Sequence, residues 1–467
     1  MRTFIKGGTV VTSEGAAPSD VLIEDERIVA VLAPDSDAAR SLGAGADRVL
    51  EVAGKYVIPG GIDAHTHMEM PFGGTTSADT FETGTRAAAW GGTTTVIDFA
   101  IQAKGGSLCS AVDEWHAKAD GLCAVDYAFH CIISDVNETT LKEMDSLVEQ
   151  GVTSFKLFMA YPGVFYANDG DILRTMRTAA RNGALVMMHA ENGIAIDAIV
   201  EAAVAKGQSE PIFHGLTRPS ELEGEAAHRA IVLAGIAGAP VYIVHVSCSE
   251  ALAAIVEARD RGQKVLGETC PQYLFLSEDD LARPGFEGAK YVCTPPLRPA
   301  RHQAELWRGL RNDDLSVVAT DHCPFRYVGQ KDLGVDDFTK IPNGLPSLEN
   351  RMDLVYQGVV SGEISLDRWV EVTSTNPAKI FGLYPRKGTI APGADADLVV
   401  YNPTATQTIS AATHHMAVDY SCYEGKTITG HIDDVFSRGR QIITAGTYTG
   451  EQGHGRFVPC RVGQQLH

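Results

Sequence analysis

The feature that most constrains this chain is a rhythm that starts at Lys55 and runs to about residue 385. Short apolar runs alternate with longer, alanine-rich amphipathic stretches. Eight of the runs read as strands: Val57–Ala64, Thr94–Phe99, Tyr127–Ser134, Ser154–Met159, Ala184–His189, Val241–Val246, Lys264–Cys270 and Ser316–Thr320. Helical patterns fall between them, such as Ser110–Ala119, Thr139–Glu149, Asp171–Arg181, Glu223–Ala237 and Glu250–Arg261. Eight strands alternating with helices predict a closed parallel α/β barrel of the TIM type. A doubly wound open sheet is the competing reading. No GxGxxG turn follows the first strand, which argues against a nucleotide-binding version of it.

The two ends of the chain have a different character. Phe4 to Thr12 is rich in Val, Thr and Ile. Asp20–Glu24 and Arg27–Leu32 flank the polar pair Asp25-Glu26 as a hairpin, and Val49–Val52 is a further short strand. After the barrel, Ser374–Leu383 reads as a last helix with a polar N-cap region. A turn and strand follow over 393–401, then a hairpin around Arg438-Gly439-Arg440. The expected organisation is one small β-rich domain made from 1–54 and 386–450 beside a barrel over 55–385. Residues 451–467 would form a polar, glycine-rich tail able to contact another subunit.

Catalytic groups of such barrels gather at the C-terminal ends of the strands. The first strand runs into His65-Thr66-His67, whose two imidazoles share one face of an extended backbone. The fourth carries Lys156 inside an apolar run. The fifth ends at His189-Ala190-Glu191, the sixth at His245-Val246-Ser247 and the eighth at Thr320-Asp321-His322. Each has an ordinary alternative: a hydrogen-bonded core histidine, a lysine reaching to water, an aspartate capping a helix. The joint pattern of four histidines, a lysine and an aspartate on one rim points to a metal site. His322 reads as a group supporting the ligands. The other ten histidines, His467 among them, read as structural or surface residues. Lys156 needs separate chemistry, because an ammonium repels cations. Burial beside metals lowers its pKa, and the neutral amine can then react with carbon dioxide to give an anionic, two-oxygen carbamate.

The formal net charge of -20 argues against nucleic acid or an anionic membrane as partner and fits a small substrate. Nine cysteines without a CxxC pair fit reduced thiols, and with no long apolar signal segment the expected location is the cytoplasm.

Longer motifs carry a family resemblance. They are Pro59-Gly60-Gly61-Ile62-Asp63-Ala64-His65-Thr66-His67, Phe155-Lys156-Leu157-Phe158-Met159-Ala160-Tyr161, His189-Ala190-Glu191, His245-Val246-Ser247, Glu268-Thr269-Cys270-Pro271-Gln272-Tyr273-Leu274, Pro295-Pro296-Leu297-Arg298, Ala319-Thr320-Asp321-His322-Cys323-Pro324, Asn343-Gly344 and Gly393-Ala394-Asp395-Ala396-Asp397-Leu398-Val399. With them the chain resembles the cyclic amidohydrolases, most closely the dihydropyrimidinase/D-hydantoinase group, over nearly its whole length. The resemblance implies a TIM barrel with a small β-sandwich made from both chain ends, and two divalent metal ions, usually Zn2+. His65, His67 and Asp321 would hold one, His189 and His245 the other, and N6-carboxylated Lys156 and a hydroxide would bridge them. It implies that Tyr161 donates to the oxyanion and that Asp321 shuttles the proton to the leaving nitrogen. Main-chain groups at Thr294 and Asn343 would read the amide edges of a cyclic ureide. Relatives usually carry Ser at the first of these, so Thr294 is a small departure. Phe72, Phe158 and Phe165 match positions that line the pocket for the exocyclic substituent. A homotetramer, or a homodimer, is implied as well.

Related dihydroorotases carry an arginine soon after the paired histidines to hold a substrate carboxylate. Here Met68-Glu69-Met70-Pro71-Phe72-Gly73-Gly74 has none, which favours a neutral ring. Allantoinase is an alternative whose ureido arm would want more polar walls. A non-catalytic dihydropyrimidinase-like adaptor is the alternative of another class, and such proteins have lost metal ligands that are all present here.

Overall fold

The computed structural model describes residues 1–463. Its centre is an eight-stranded parallel sheet, with strands β1 (Gly61–Thr66), β2 (Thr93–Ile101), β3 (Asp126–Ile132), β4 (Ser154–Phe158), β5 (Leu185–His189), β6 (Val241–Ile243), β7 (Val265–Thr269) and β8 (Val317–Val318) neighbouring one another in chain order. The ends of the sheet meet through a parallel bridge between Thr66 and His322. Asp63 on β1 reinforces the closure, accepting from Thr320 N–H at 3.1 Å and from Thr320 Oγ1 at 2.6 Å. This is the expected TIM-type barrel. Helices Phe81–Trp90, Leu108–Ala119, Glu138–Glu149, Asp169–Asn182, Ser220–Ala237, Ser249–Asp260 and Arg301–Arg311 lie between or after its strands. Ser, Thr or Asn side chains cap the first four, at Thr80, Ser107, Asn137 and Asn168.

Both chain ends contribute to the β region expected beside the barrel. Its strands form one nine-stranded hydrogen-bonded sheet with a core that includes Ile5, Val21, Ile28, Val57, Leu398 and Phe436. The turn at Asp25-Glu26 joins Gly15–Glu24 to Arg27–Leu32. The turn at Arg438-Gly439 joins Thr427–Ser437 to Arg440–Thr444, with both residues at positive φ as a tight hairpin turn requires.

Two expectations are corrected. The run read as one strand over Val57–Ala64 is two strands in different sheets. Tyr56–Pro59 pairs with Leu398–Tyr401 and with Thr9–Val10 in the terminal sheet, and β1 begins only at Gly61. The chain crosses at Gly60, where a Cβ would stand 2.1 Å from Thr94 Oγ1, so glycine is required by the close approach. The last helix also starts earlier than Ser374. It begins at Leu366, capped by Ser365, and passes through a π turn over Glu371–Thr375 into Asn376–Ile380. Ser374 and Thr375 are therefore inside the helix. The wide turn interrupts the α ladder just before Pro377, which has no N–H to contribute.

A buried ion-pair cluster fastens the terminal sheet to the barrel. Lys387 Nζ lies 2.8 Å from Asp126 of β3, 2.5 Å from Asp397 and 3.2 Å from Asp395, and Arg438 Nε lies 3.0 Å from Asp126. The three carboxylates are close enough to suggest a metal group, but a lysine already supplies the cation. Residues 451–463 lie along the same end of the barrel. Tyr127 N–H donates to Arg456 O, Val458 N–H to Tyr127 O and Cys460 N–H to Gly151 O. Residues 464–467 of the expected tail, with His467, lie outside the described residues.

Candidate functional site

The strand ends bring the six expected ligands together at the C-terminal rim. His65 sits at the end of β1 with its backbone N–H on Asp63 (3.2 Å). Its Nδ1 is 2.6 Å from Glu268 Oε1 on β7, which turns Nε2 inward. That nitrogen lies 2.8 Å from Lys156 Nζ and 3.2 Å from Asp321 Oδ1. His67 Nε2 is 3.3 Å from the same carboxylate oxygen. The ligand atoms of His65, His67 and Asp321 fall within 4.8 Å of one another. On the other side, the rings of His189 and His245 are 4.6 Å apart, and His245 is 5.5 Å from His65. His189 Nε2 is occupied by Glu191 Oε2 at 2.9 Å, which leaves Nδ1 for the cavity.

The electrostatics match this geometry. Burial pushes the imidazoles of His65, His67 and His245 down, so they stay neutral and keep a lone pair. Lys156 is only 1% exposed, and burial lowers its ammonium to about 8 against the opposing pull of Asp321 and Glu268. It lies 4.5 Å from the ring centre of Phe99 and 4.9 Å from that of Phe158, and no carboxylate pairs with it among the described residues. Burial alone would raise Asp321, but its close contacts with His65, His67 and Lys156 hold it below the usual carboxylate range. His245 and Asp321 both have positive φ, +40° and +51°, as does Tyr161 at +60°. Such conformations cost of order 1–3 kcal/mol each and persist where the surroundings over-determine them.

Tyr161 follows β4 in a turn whose carbonyl collects the N–H groups of Val164, Phe165 and Tyr166. Its hydroxyl meets the side chains of Thr294 and Asn343, while burial raises its pKa and keeps it protonated. Thr294 Oγ1 also stands 3.2 Å from His214 Nε2, so the added methyl sits in a hydroxyl-anchored side chain. Phe72, Phe158 and Phe165 form one wall of the same pocket. Phe165 stacks on Phe72 at 6.4 Å and on Phe158 at 5.1 Å, and Tyr161 meets Phe72 edge to face at 5.4 Å. Met70, Cys323 and Gly344 complete the lining. A cavity of about 440 Å3 lies elsewhere, among Leu185, Val265 and Ile380, and contains no histidine or carboxylate.

Three supporting groups were not singled out from the sequence. Glu268 binds His65 and also accepts from Tyr242 OH (2.8 Å) and His245 N–H (3.1 Å), while burial raises its carboxyl to about 8. Glu191 orients His189, and Asp63 ties β1 to Thr320. Acids inside apolar strand ends are the signal that could have flagged Glu268 and Glu191. His322 supports its neighbours as expected: its carbonyl accepts from His67 N–H at 2.8 Å, and its Nε2 is 3.0 Å from Asp79.

Comparison with known proteins agrees with this layout. The amidohydrolase family model matches residues 56–442. A D-hydantoinase of Streptomyces coelicolor is 63% identical over 465 residues, covering 100% of this chain and 99% of that protein. One from Geobacillus stearothermophilus is 49% identical, covering 98% and 96%. The crystal structure of dihydropyrimidinase from Brevibacillus agri NCHU1002 superposes with a TM-score of 0.96 at 48% identity and covers 100% of both chains.

Proposed function

We propose, for a chain that belongs to the amidohydrolase family and to its dihydropyrimidinase/D-hydantoinase branch, hydrolysis of the ring amide of 5-substituted hydantoins and of 5,6-dihydropyrimidines. The products are N-carbamoyl amino acids and, from dihydrouracil, N-carbamoyl-β-alanine. One observation carries this reading: His67, His189, His245, Lys156 and Asp321, with His65 Nε2 2.8 Å from Lys156 Nζ, share a single pocket with an aromatic wall of Phe72, Phe158 and Phe165. A charged substrate finds no arginine after His67, and a polar ureido arm finds no polar wall there.

The donor set fits divalent cations. His67 and His245 each bury an Nδ1 that has no hydrogen-bond partner, and the neutral imidazoles gather around a carboxylate. His65, His67 and Asp321 would hold one ion and His189 and His245 a second, with carboxylated Lys156 shared between them. Nitrogen and oxygen donors of this mixture suit zinc. Bound there, the ions would supply Lewis acidity and lower the pKa of the attacking water. Asp321 takes the proton of the attacking oxygen and passes it to the ring nitrogen as the C–N bond breaks. Tyr161 donates to the carbonyl oxygen as charge grows on it. The backbone at Thr294 and Asn343 fixes the amide edges.

The decisive assay compares kcat/KM on dihydrouracil, hydantoin, 5-phenylhydantoin, allantoin and dihydroorotate with metal-quantified protein. We expect 5-phenylhydantoin to exceed dihydroorotate by about 10²-fold, with two metal equivalents per chain. Preference for allantoin or dihydroorotate, or full turnover by metal-free protein, would sink the proposal. A linked expectation concerns Glu268→Gln. Losing the carboxylate behind His65 should weaken metal retention about 10–100-fold, read by competition with a chelator. Unchanged retention would show that Glu268 does not orient His65.

We place the enzyme in the cytoplasm, a reading supported by nine free cysteines, eight of them buried. No helix of the described residues is long and apolar enough to cross a membrane. We also propose a homotetramer, or a homodimer. Ile194, Ile199 and Val204 on helix Gly193–Ala205 and Val232 and Ile236 on Ser220–Ala237 are exposed apolar side chains that self-association would cover. Its mass in solution should be a multiple of 49.9 kDa.

A further inference from the structure

Lys331 is a buried cation that the reaction does not use. It is 0% exposed, and among the described residues no carboxylate pairs with it. Its ammonium donates instead to two backbone carbonyls, Val292 O at 2.8 Å and Gly344 O at 2.9 Å. The N–H of Gly344 donates to the same Val292 oxygen at 3.0 Å. Val292 is two residues before Thr294, and Gly344 directly follows Asn343. One side chain therefore bridges the two segments that face the substrate's amide edge.

Burying an ammonium without a counter-charge is costly. A methionine would fill similar space at less cost, so the charge needs a reason, and the two carbonyls supply it. The Gly344 segment is tightly placed: a Cβ there would stand 2.1 Å from Cys323 O. The preceding residue does a parallel job. Gln330 Nε2 donates to Thr75 Oγ1 at 2.9 Å and Thr76 O at 2.7 Å, and its Oε1 accepts from Arg326 N–H at 2.7 Å. Thr75–Thr76 is the second strand of the small hairpin whose first strand, Pro71–Phe72, carries Phe72 of the aromatic wall. Two consecutive side chains thus tie three loops of the pocket to one short helical turn, Lys331–Gly334. Neither side chain lines the pocket itself.

We propose that Lys331 and Gln330 are positioning residues that divide substrate recognition between them. Lys331 sets the spacing of Thr294 and Asn343, which reads the ring amide. Gln330 sets the stance of Phe72, which reads the 5-substituent. This rests on the hydantoinase reading above and deepens it.

The test measures KM and kcat for hydantoin and 5-phenylhydantoin in Lys331→Met and Gln330→Leu, with metal content determined for each protein. Lys331→Met should raise KM about tenfold for both substrates by the same factor, with metal content unchanged and kcat altered less than KM. Gln330→Leu should change the ratio of the two KM values about fivefold or more, the phenyl substrate responding more. Lys331→Gln keeps an uncharged N–H donor group on a shorter side chain and should give a KM between wild type and Lys331→Met; it also serves if the methionine variant fails to fold. Wild-type KM values in both Lys331 variants, a fall in kcat alone, or an unchanged ratio in Gln330→Leu would overturn the division. Wild-type protein inactive on both rings would remove the reaction itself, and the positioning roles would fall with it. Normal wild-type turnover with unmoved variants would refute only the positioning.

Discussion

Lys156→Ala is expected to lose at least about 10³-fold in kcat/KM, equal to about 4 kcal/mol of transition-state stabilisation. Part of the loss should return when a short carboxylic acid such as propionate is added. The argument starts from the side chain's surroundings. Lys156 is wholly enclosed, unpaired with any carboxylate among the described residues, and 2.8 Å from the inward nitrogen of His65. As an ammonium it would repel cations from the centre that four imidazoles and Asp321 build. With its pKa lowered to about 8, the neutral amine is accessible near neutral pH. It can add to carbon dioxide, forming an N–C bond and releasing a proton, and the resulting anion has two oxygens to share. An added carboxylate can restore those oxygens in the space that alanine vacates. Lys156→Arg separates this from a structural role for the charge. Arginine keeps the charge but forms no such carbamate, so it should be as inactive as the alanine variant and gain nothing from propionate. Full activity in Lys156→Ala without added acid, or an active Lys156→Arg, would refute the bridging role.

How far the site was legible follows from where its information lies. His65, His67, Lys156, His189, His245 and Asp321 each end or interrupt an apolar run, so position along the strand predicts position on the rim. The aromatic wall was readable only through family likeness, because nothing local distinguishes Phe158 facing the pocket from a core phenylalanine. Gly60 hid its role for a physical reason. Val57–Ile58 and Ile62–Ala64 are equally buried, and local pattern records burial without recording which sheet provides it. Glu268 shows the same limit for polar groups. An acid in a strand announces that it must be paired, but its partner His65 is 203 residues away. Lys331 was invisible because its partners are carbonyls, and backbone acceptors leave no trace in a sequence.

The second large effect concerns Tyr161. Tyr161→Phe is expected to lower kcat about 10²-fold, near 2.7 kcal/mol, while KM moves by a few-fold at most. The substitution removes one oxygen and keeps the ring, so contacts to Phe72 at 5.4 Å, Phe158 at 6.1 Å and His189 at 5.6 Å survive. The backbone is held at φ +60° by three N–H groups on its own carbonyl, and none depends on the hydroxyl. Melting temperature and metal content should therefore match wild type. The phenol is pushed above its ordinary pKa by burial, so it reaches the substrate as a donor. A donor aimed at a carbonyl gains most as that oxygen becomes an anion, which places the loss in kcat. Were the hydroxyl only a ground-state contact, KM would rise with kcat intact. That outcome would remove Tyr161 from catalysis and leave it, with Thr294 and Asn343, as part of the wall that orients the ring.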